Sequence, residues 1–171
     1  MMTLLKRLLR HTLARSTRHT LAPEALQRLS QVVAQAEKGH SGEIRLCVEA
    51  RLPTSYLQRP GSMASIVRER ALAKFSKLRV WDTAHNNGVL IYLLLVERSI
   101  ELVADRGIAS KVDPHVWQNI TQGLGEKLRR GDFEQGLAQA VQQVSAILTQ
   151  HFTCSEDAPN LNELPDRPDT P

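Results

Sequence analysis

The chain predicts an α/β protein, a three-layer α/β/α sandwich with a small mixed central sheet that contains a β-hairpin. Three observations lead there. Val89 to Val96 is an uninterrupted apolar run of strand length, the signature of a strand buried on both faces. Only Glu97-Arg98 separates it from a second strand pattern at Ser99 to Ala104, and so short a link all but requires antiparallel pairing. Amphipathic helix patterns flank these strands in the order α, β, α, β, β, α, α, enough to cover both faces of a sheet.

Each element has its own signal. Pro23 suits the first turn of a helix, where its missing N–H would have no partner anyway. Leu26, Leu29, Val33 and Ala36 recur at helical spacing, and Lys38-Gly39 marks the stop. Ile44, Leu46, Val48 and Ala50 then alternate with Glu43, Arg45, Cys47 and Glu49, a strand with one face more polar than the other. Pro53, Pro60 and Gly61 predict a loop over 51–61. Met63, Ile66, Val67, Ala71, Phe75 and Leu78 follow as an amphipathic helix with Ser62 as its N-cap. Asn86-Asn87-Gly88 breaks the chain before the hairpin. Neither Glu97 nor Arg98 is a favoured residue in a primed turn, so a bulged or longer turn stands as the alternative. Asp113-Pro114 reads as an N-cap and first helical residue, with Val116, Ile120, Leu124 and Leu128 as the apolar stripe and Trp117 beside it. Gly131 ends that helix, Asp132 with Gln135 resembles a capping box, and Phe133, Leu137, Val141, Val144 and Leu148 line the last helix. Four prolines and five acids from residue 152 on predict a disordered tail. The expected organisation is a basic arm or helix over 1–22, an α/β domain over 23–152 and an acidic tail over 153–171.

Charge and composition narrow the function. The net charge of +4 is concentrated at the ends. Residues 1–19 hold five basic residues and no acid, while 152–171 hold five acids against Arg167, so no basic face suggests nucleic acid. Eight apolar residues in a row fall far short of the roughly 20 that a membrane helix needs. LLKRLLRHTL has no apolar core of the kind found in a secretory signal. Cys47 and Cys154 make no zinc spacing and no CxxC, which points to free thiols in a reducing cytosol. The expected location is therefore cytoplasmic. Leu4, Leu5, Leu8 and Leu9 would share a helical stripe beside Lys and Arg, a pattern suited to peripheral contact with an anionic membrane through residues 1–19; a solvated basic arm is the other reading.

Residues 81–112, WDTAHNNGVLIYLLLVERSIELVADRGIASKV, followed by GDFEQGLAQAV at 131–141, resemble the TPM-domain family. The matching motifs are Asn87-Gly88-Val89-Leu90-Ile91, Arg106-Gly107-Ile108 and Phe133-Glu134-Gln135-Gly136-Leu137, in order and at the family's separations. The resemblance covers about 23–152 and implies an α/β/α fold. It places the chain beside thylakoid-lumen and bacterial envelope members, some of them associated with calcium binding or acid phosphatase activity. The chain looks more like the short soluble bacterial branch, often labelled only as a domain of unknown function. Unlike envelope members, the sequence is expected to carry neither their signal peptide nor their C-terminal membrane helix. It also carries Asp105 where the family often has the first glycine of a Gly-x-Gly loop.

Hairpin geometry selects a candidate site. The start of the first hairpin strand must lie beside the end of the second, so the loops at 82–87 and 105–107 meet. That gathers Asp82, His85, Asn86 and Asn87 near Asp105 and Arg106, with Asp113 close by, and a parallel 44–50 strand would add Glu43. Carboxylate and amide oxygens are what Ca²⁺ takes, so Asp82, Asn86, Asp105 and Asp113 are the expected metal ligands. The alternative use of the same residues is structural: Asp82 and Asp113 as caps, Asn87-Gly88 as a positive-φ turn, Arg106 as a partner for Asp105. No P-loop, GxSxG or HExxH occurs, and the six histidines are scattered. Trp81 and Trp117 are expected in the core or at its rim. The resulting expectation is a non-enzymatic module that binds an unidentified protein partner, with Ca²⁺ as its one expected cofactor. A phosphatase-type hydrolase with Asp105 and Arg106 as first residues to test, and a membrane-surface adaptor, are the alternatives.

Overall fold

The computed structural model describes residues 4–154 and 161–171. Its centre is a three-stranded sheet of order β1-β2-β3, with β1 (Ile44–Glu49) parallel to β2 (Val89–Leu94) and β2 antiparallel to β3 (Ser99–Ala104). The register pairs Leu46 with Ile91 and Ile91 with Leu102. β2 is central and fully buried, as its continuous apolar sequence requires.

Helices cover both faces. Alternation sends Ile44, Leu46, Val48, Val89, Ile91 and Leu93 to one face. There they meet α3 (Pro23–Ala36), α7 (Pro114–Arg130) and α8 (Phe133–Phe152) through residues such as Leu29, Val33, Leu124, Val141 and Val144. Cys47, Leu90, Tyr92 and Leu94 face the other way, onto Ile66, Val67 and Ala71 of α5 (Met63–Lys77). Each of these fully buried aliphatic side chains contributes roughly 1.5–3 kcal/mol. The result is the α/β/α sandwich predicted from sequence. Ser62 caps α5 by accepting a hydrogen bond from the Ser65 N–H, Asp113 caps α7 by accepting from His115 N–H, and Gly131 ends α7 at φ +88°. The short helices are α1 (Leu4–Thr12), α2 (Thr17–Thr20), α4 (Thr54–Leu57, inside the expected 51–61 loop) and α6 (Arg106–Ala109).

The hairpin turn takes the longer of the two forms expected, four residues at Leu95–Arg98, because β2 leaves β3 after Leu94; Leu95 and Val96 instead donate to the Glu49 and Ala50 carbonyls, and Arg98 takes φ +49° to close the turn. Several expectations need correction. No capping box forms at Asp132: its side chain makes no cap hydrogen bond, and Gln135 accepts from Lys127. Trp81 is 47% exposed, while Trp117 packs at the core rim as expected. β1 is buried on both faces, polar residues included: Glu49 accepts from Arg70, and Arg45 donates to main-chain carbonyls of residues 165 and 167.

The tail differs most. The expected disorder over 153–171 falls partly on residues outside those described, but residues 161–171 lie along the outer edge of β1. Glu43 accepts from the Glu163 and Leu164 N–H groups, Arg45 donates to the Pro165 and Arg167 carbonyls, and Asp169 exchanges two main-chain hydrogen bonds with Leu46 and Val48. Composition gave no hint of this, because among its described residues the tail contributes only Leu164 to the core.

Candidate functional site

The two loops named by the hairpin argument do meet. Asp105 N–H donates to the Gly88 carbonyl and Gly107 N–H to the Asn86 carbonyl, both at 2.9 Å. Two glycines make this approach feasible. A Cβ on Gly107 would stand 2.4 Å from the His85 carbonyl oxygen, and one on Gly88 would stand 2.0 Å from that of Val80. Neither glycine has positive φ; that conformation falls on Asn86, at +51°. The motif glycines therefore serve close packing, and the positive φ sits at Asn86, one residue before Asn87 and two before Gly88.

The expected ligand residues divide. Asp105 lies in the junction as N-cap of α6: one carboxylate oxygen accepts from Arg106 N–H at 2.7 Å, and the other, Oδ2, is buried with no hydrogen-bond partner among the described residues. Asn86 lies there too, half-buried, with its main chain tied to Thr83 and Gly107. Asp82 faces Arg79 in an ion pair of 2.6 Å at a surface position. Asp113 is exposed and used as a helix cap. Arg106 and His85 are exposed, and Arg106 makes its contact with Asp105 through its main chain rather than as an ion pair. Among the described residues no three His, Cys, Asp or Glu side chains gather as metal ligands.

Asn87 is the residue that motif reading undervalued. It is fully buried; its N–H donates to Thr83 Oγ1 and its Nδ2 to Ser41 Oγ, while its Oδ1 has no partner among the described residues. Leaving a buried acceptor unmade costs about 1–3 kcal/mol. Its signal in the sequence was an asparagine one residue short of the most apolar strand, where a polar side chain must be buried or bound. Glu43 reaches the same end of the sheet, as the parallel pairing required, but its carboxylate is engaged by the tail; burial raises its pKa. Next to it, burial pushes the Glu37 carboxyl up to about 8, with the charges of Glu43 and Asp166 adding to the effect.

Other chemistry-bearing groups are locked away. His40 is fully buried between the Gly42 carbonyl and Ser145 Oγ, and burial lowers its pKa. Burial likewise raises the Cys47 thiol far above its ordinary value, which makes it a poor nucleophile. α1 docks through buried His11, which bridges Glu97 and the Leu52 N–H, while Leu5, Leu9 and Leu13 face outward at 75%, 58% and 73% exposure. No helix among the described residues is long and apolar enough to cross a membrane.

Comparison with known proteins agrees with this architecture. No curated protein is significantly similar to the chain. The NMR structure of the BA42 protein from the psychrophilic bacterium Bizionia argentinensis has the same fold, with a TM-score of 0.72 and 26% identity over 87% of this chain and 94% of that one. The family model of the TPM domain matches residues 15–147, which include both loops of the junction and all three strands. The chain therefore belongs to the TPM-domain family.

Proposed function

We propose that this chain is a non-enzymatic TPM-domain module for protein interaction that takes a divalent cation, Ca²⁺ in the first instance, at the junction of loops 82–88 and 105–107. One observation carries the reading: two buried oxygen acceptors, Asp105 Oδ2 and Asn87 Oδ1, have no partner among the described residues, and they sit on segments joined by the Asp105–Gly88 hydrogen bond. Hard cations take carboxylate and amide oxygens, so the donor set fits in kind. With one carboxylate, water must complete the six to eight ligands, and the expected Kd is on the order of 10⁻⁴–10⁻³ M. Of the ligands expected from sequence, Asp105 is retained, Asn87 replaces Asn86, and Asp82 and Asp113 keep their structural partners.

Calorimetric titration of the full chain with CaCl₂ tests this. Saturable heat and a thermal shift in the wild type, both lost in Asp105→Asn, support it; no heat and no shift in the wild type would overturn it. Hydrolysis of a generic phosphate ester, dependent on Asp105 and Arg106 and above background with Ca²⁺, Mg²⁺ or Mn²⁺, would favour the hydrolase reading instead. A membrane-surface reading has one supporting observation, the outward Leu5, Leu9 and Leu13 beside Lys6. Flotation with anionic vesicles, unchanged on removal of residues 1–19, would remove it.

A further inference from the structure

The outer edge of β1 has the hardware of a peptide-binding groove, and its present occupant joins the strand main chain to main chain through one bridge. The main-chain groups of Leu46 and Val48 point away from β2 and pair with Asp169. Two cations lie beneath, Arg45 at 8% exposure and Lys74 at 3%. Lys74 Nζ is 3.0 Å from Asp169 Oδ2. Arg45 meets only the neutral carbonyls of Pro165 and Arg167 among its hydrogen-bonded partners, and its Nε is buried without a partner among the described residues. Burial makes the Arg45 charge costly, and the Asp169 and Asp166 carboxylates of the tail act on it through space, so the groove's two cations favour an acidic occupant.

The tail fills it sparingly. Its main chain makes one two-bond bridge with β1, against the six-residue registers within the sheet. Pro165 and Pro168 have no N–H to extend a ladder. Leu164 is its buried apolar anchor, and Leu161 is 75% exposed. Glu163 also accepts from Ala84 N–H, so the tail spans from the loop junction to Val48.

We propose that the β1 edge is a recognition site for an extended acidic peptide of a partner protein, and that residues 161–171 are its cis-bound stand-in. The peptide chemistry is read from the stand-in: a leucine for the Leu164 position, an acidic residue five positions later for Lys74, and a strand-like main chain that pairs with Leu46 and Val48. This deepens the interaction-module reading, on which it rests for its class of partner. Apart from Glu163, which meets Ala84, the recognition groups Leu46, Val48, Arg45 and Lys74 lie outside the cation junction, so peptide binding and Ca²⁺ binding fail separately.

The test uses a fluorescent peptide of residues 161–171 and full-length protein. Wild type, whose own tail competes, should bind it weakly; Leu164→Ser/Asp169→Ala, with a weakened tail, should bind at least tenfold tighter. Adding Arg45→Met or Lys74→Met, or using an Asp169→Asn peptide, should reverse that gain. Equal binding to wild type and tail variant, or none to either, overturns the proposal. Should the tail variant fail to fold, wild-type chain cut at a protease sequence inserted after Ala158 decides. Exchange of its tail for labelled peptide without loss of the native circular dichroism supports the site, and no exchange overturns it. A wild-type dimer in light scattering that dissociates on Leu164→Ser/Asp169→Ala would give the groove to a second copy's tail and overturn the assignment to a foreign peptide.

Discussion

At the β3 side the sheet ends in a strand that is half-exposed along most of its length, with Arg68 of α5 donating to the Leu102 carbonyl and pairing with Glu101. At the β1 side every strand residue is buried, and the edge is closed by a distant part of the chain. Both sides place a glutamate against an arginine of α5, yet their surroundings differ. Arg68 and Glu101 keep 46% and 25% of their side-chain surface, while Arg70 and Glu49 keep 16% and 5%. Solvent screens the first pair and makes it worth little. The second is desolvated, bidentate, and shared with the Tyr92 hydroxyl at 2.7 Å. The same residue types thus decorate one edge and organise the other.

Breaking the buried pair is the strongest test of that difference. Glu49→Ala leaves a guanidinium and a phenol without their acceptor and should cost about 3–5 kcal/mol in urea unfolding. Asp169→Ala should cost less, about 1–3 kcal/mol, because the tail can leave and let water reach Lys74. A loss equal to that of Glu49→Ala would mean that the tail is as integral as the sheet.

pH sharpens the comparison on the β1 side. Glu37, whose carboxyl accepts from Ile44 N–H, has its pKa raised from 4.5 to about 8, so the fold favours its neutral form. The stability this supplies is complete below about pH 4.5 and is lost as pH rises through about 8. Glu43, also raised, acts in the same direction. His11 and His40, lowered by burial, act oppositely and lose stability as pH falls below their ordinary 6.5. From pH 6.5 to 8.5 the wild-type Tm should therefore fall, and Glu37→Gln should flatten the decline. The smallest effect belongs to the β3 side: Glu101→Ala should change stability by no more than about 0.5–1 kcal/mol, and 0.5 M NaCl should erase most of it.

The elements with strong local signals were legible in the sequence. Val89–Leu94 followed from its apolar run, the Asp113 and Ser62 caps from side-chain chemistry, and the meeting of the two loops from hairpin geometry alone. Partners set by tertiary contact were not. Asp82 reads as a ligand until Arg79, three residues away across a positive-φ turn, takes its charge. Asn87 reads as a turn residue until burial leaves its carbonyl oxygen unpaired. The tail reads as disordered because eleven polar, proline-rich residues have no core of their own. Their order comes from Arg45, Lys74 and an open strand edge more than 90 residues earlier, which no local pattern encodes.

Native-state hydrogen exchange at Val48 tests most directly the claim that the tail is a detachable occupant of the β1 edge. The Val48 N–H donates to the Asp169 carbonyl, whereas the Val89 N–H of the same sheet donates to the carbonyl of Glu43, just before β1. Val48 should exchange through a local opening, and Leu164→Ser/Asp169→Ala should speed it at least tenfold while Val89 keeps its wild-type rate. Equal acceleration of both amides would show that the tail opens only with the whole sheet and would contradict the claim.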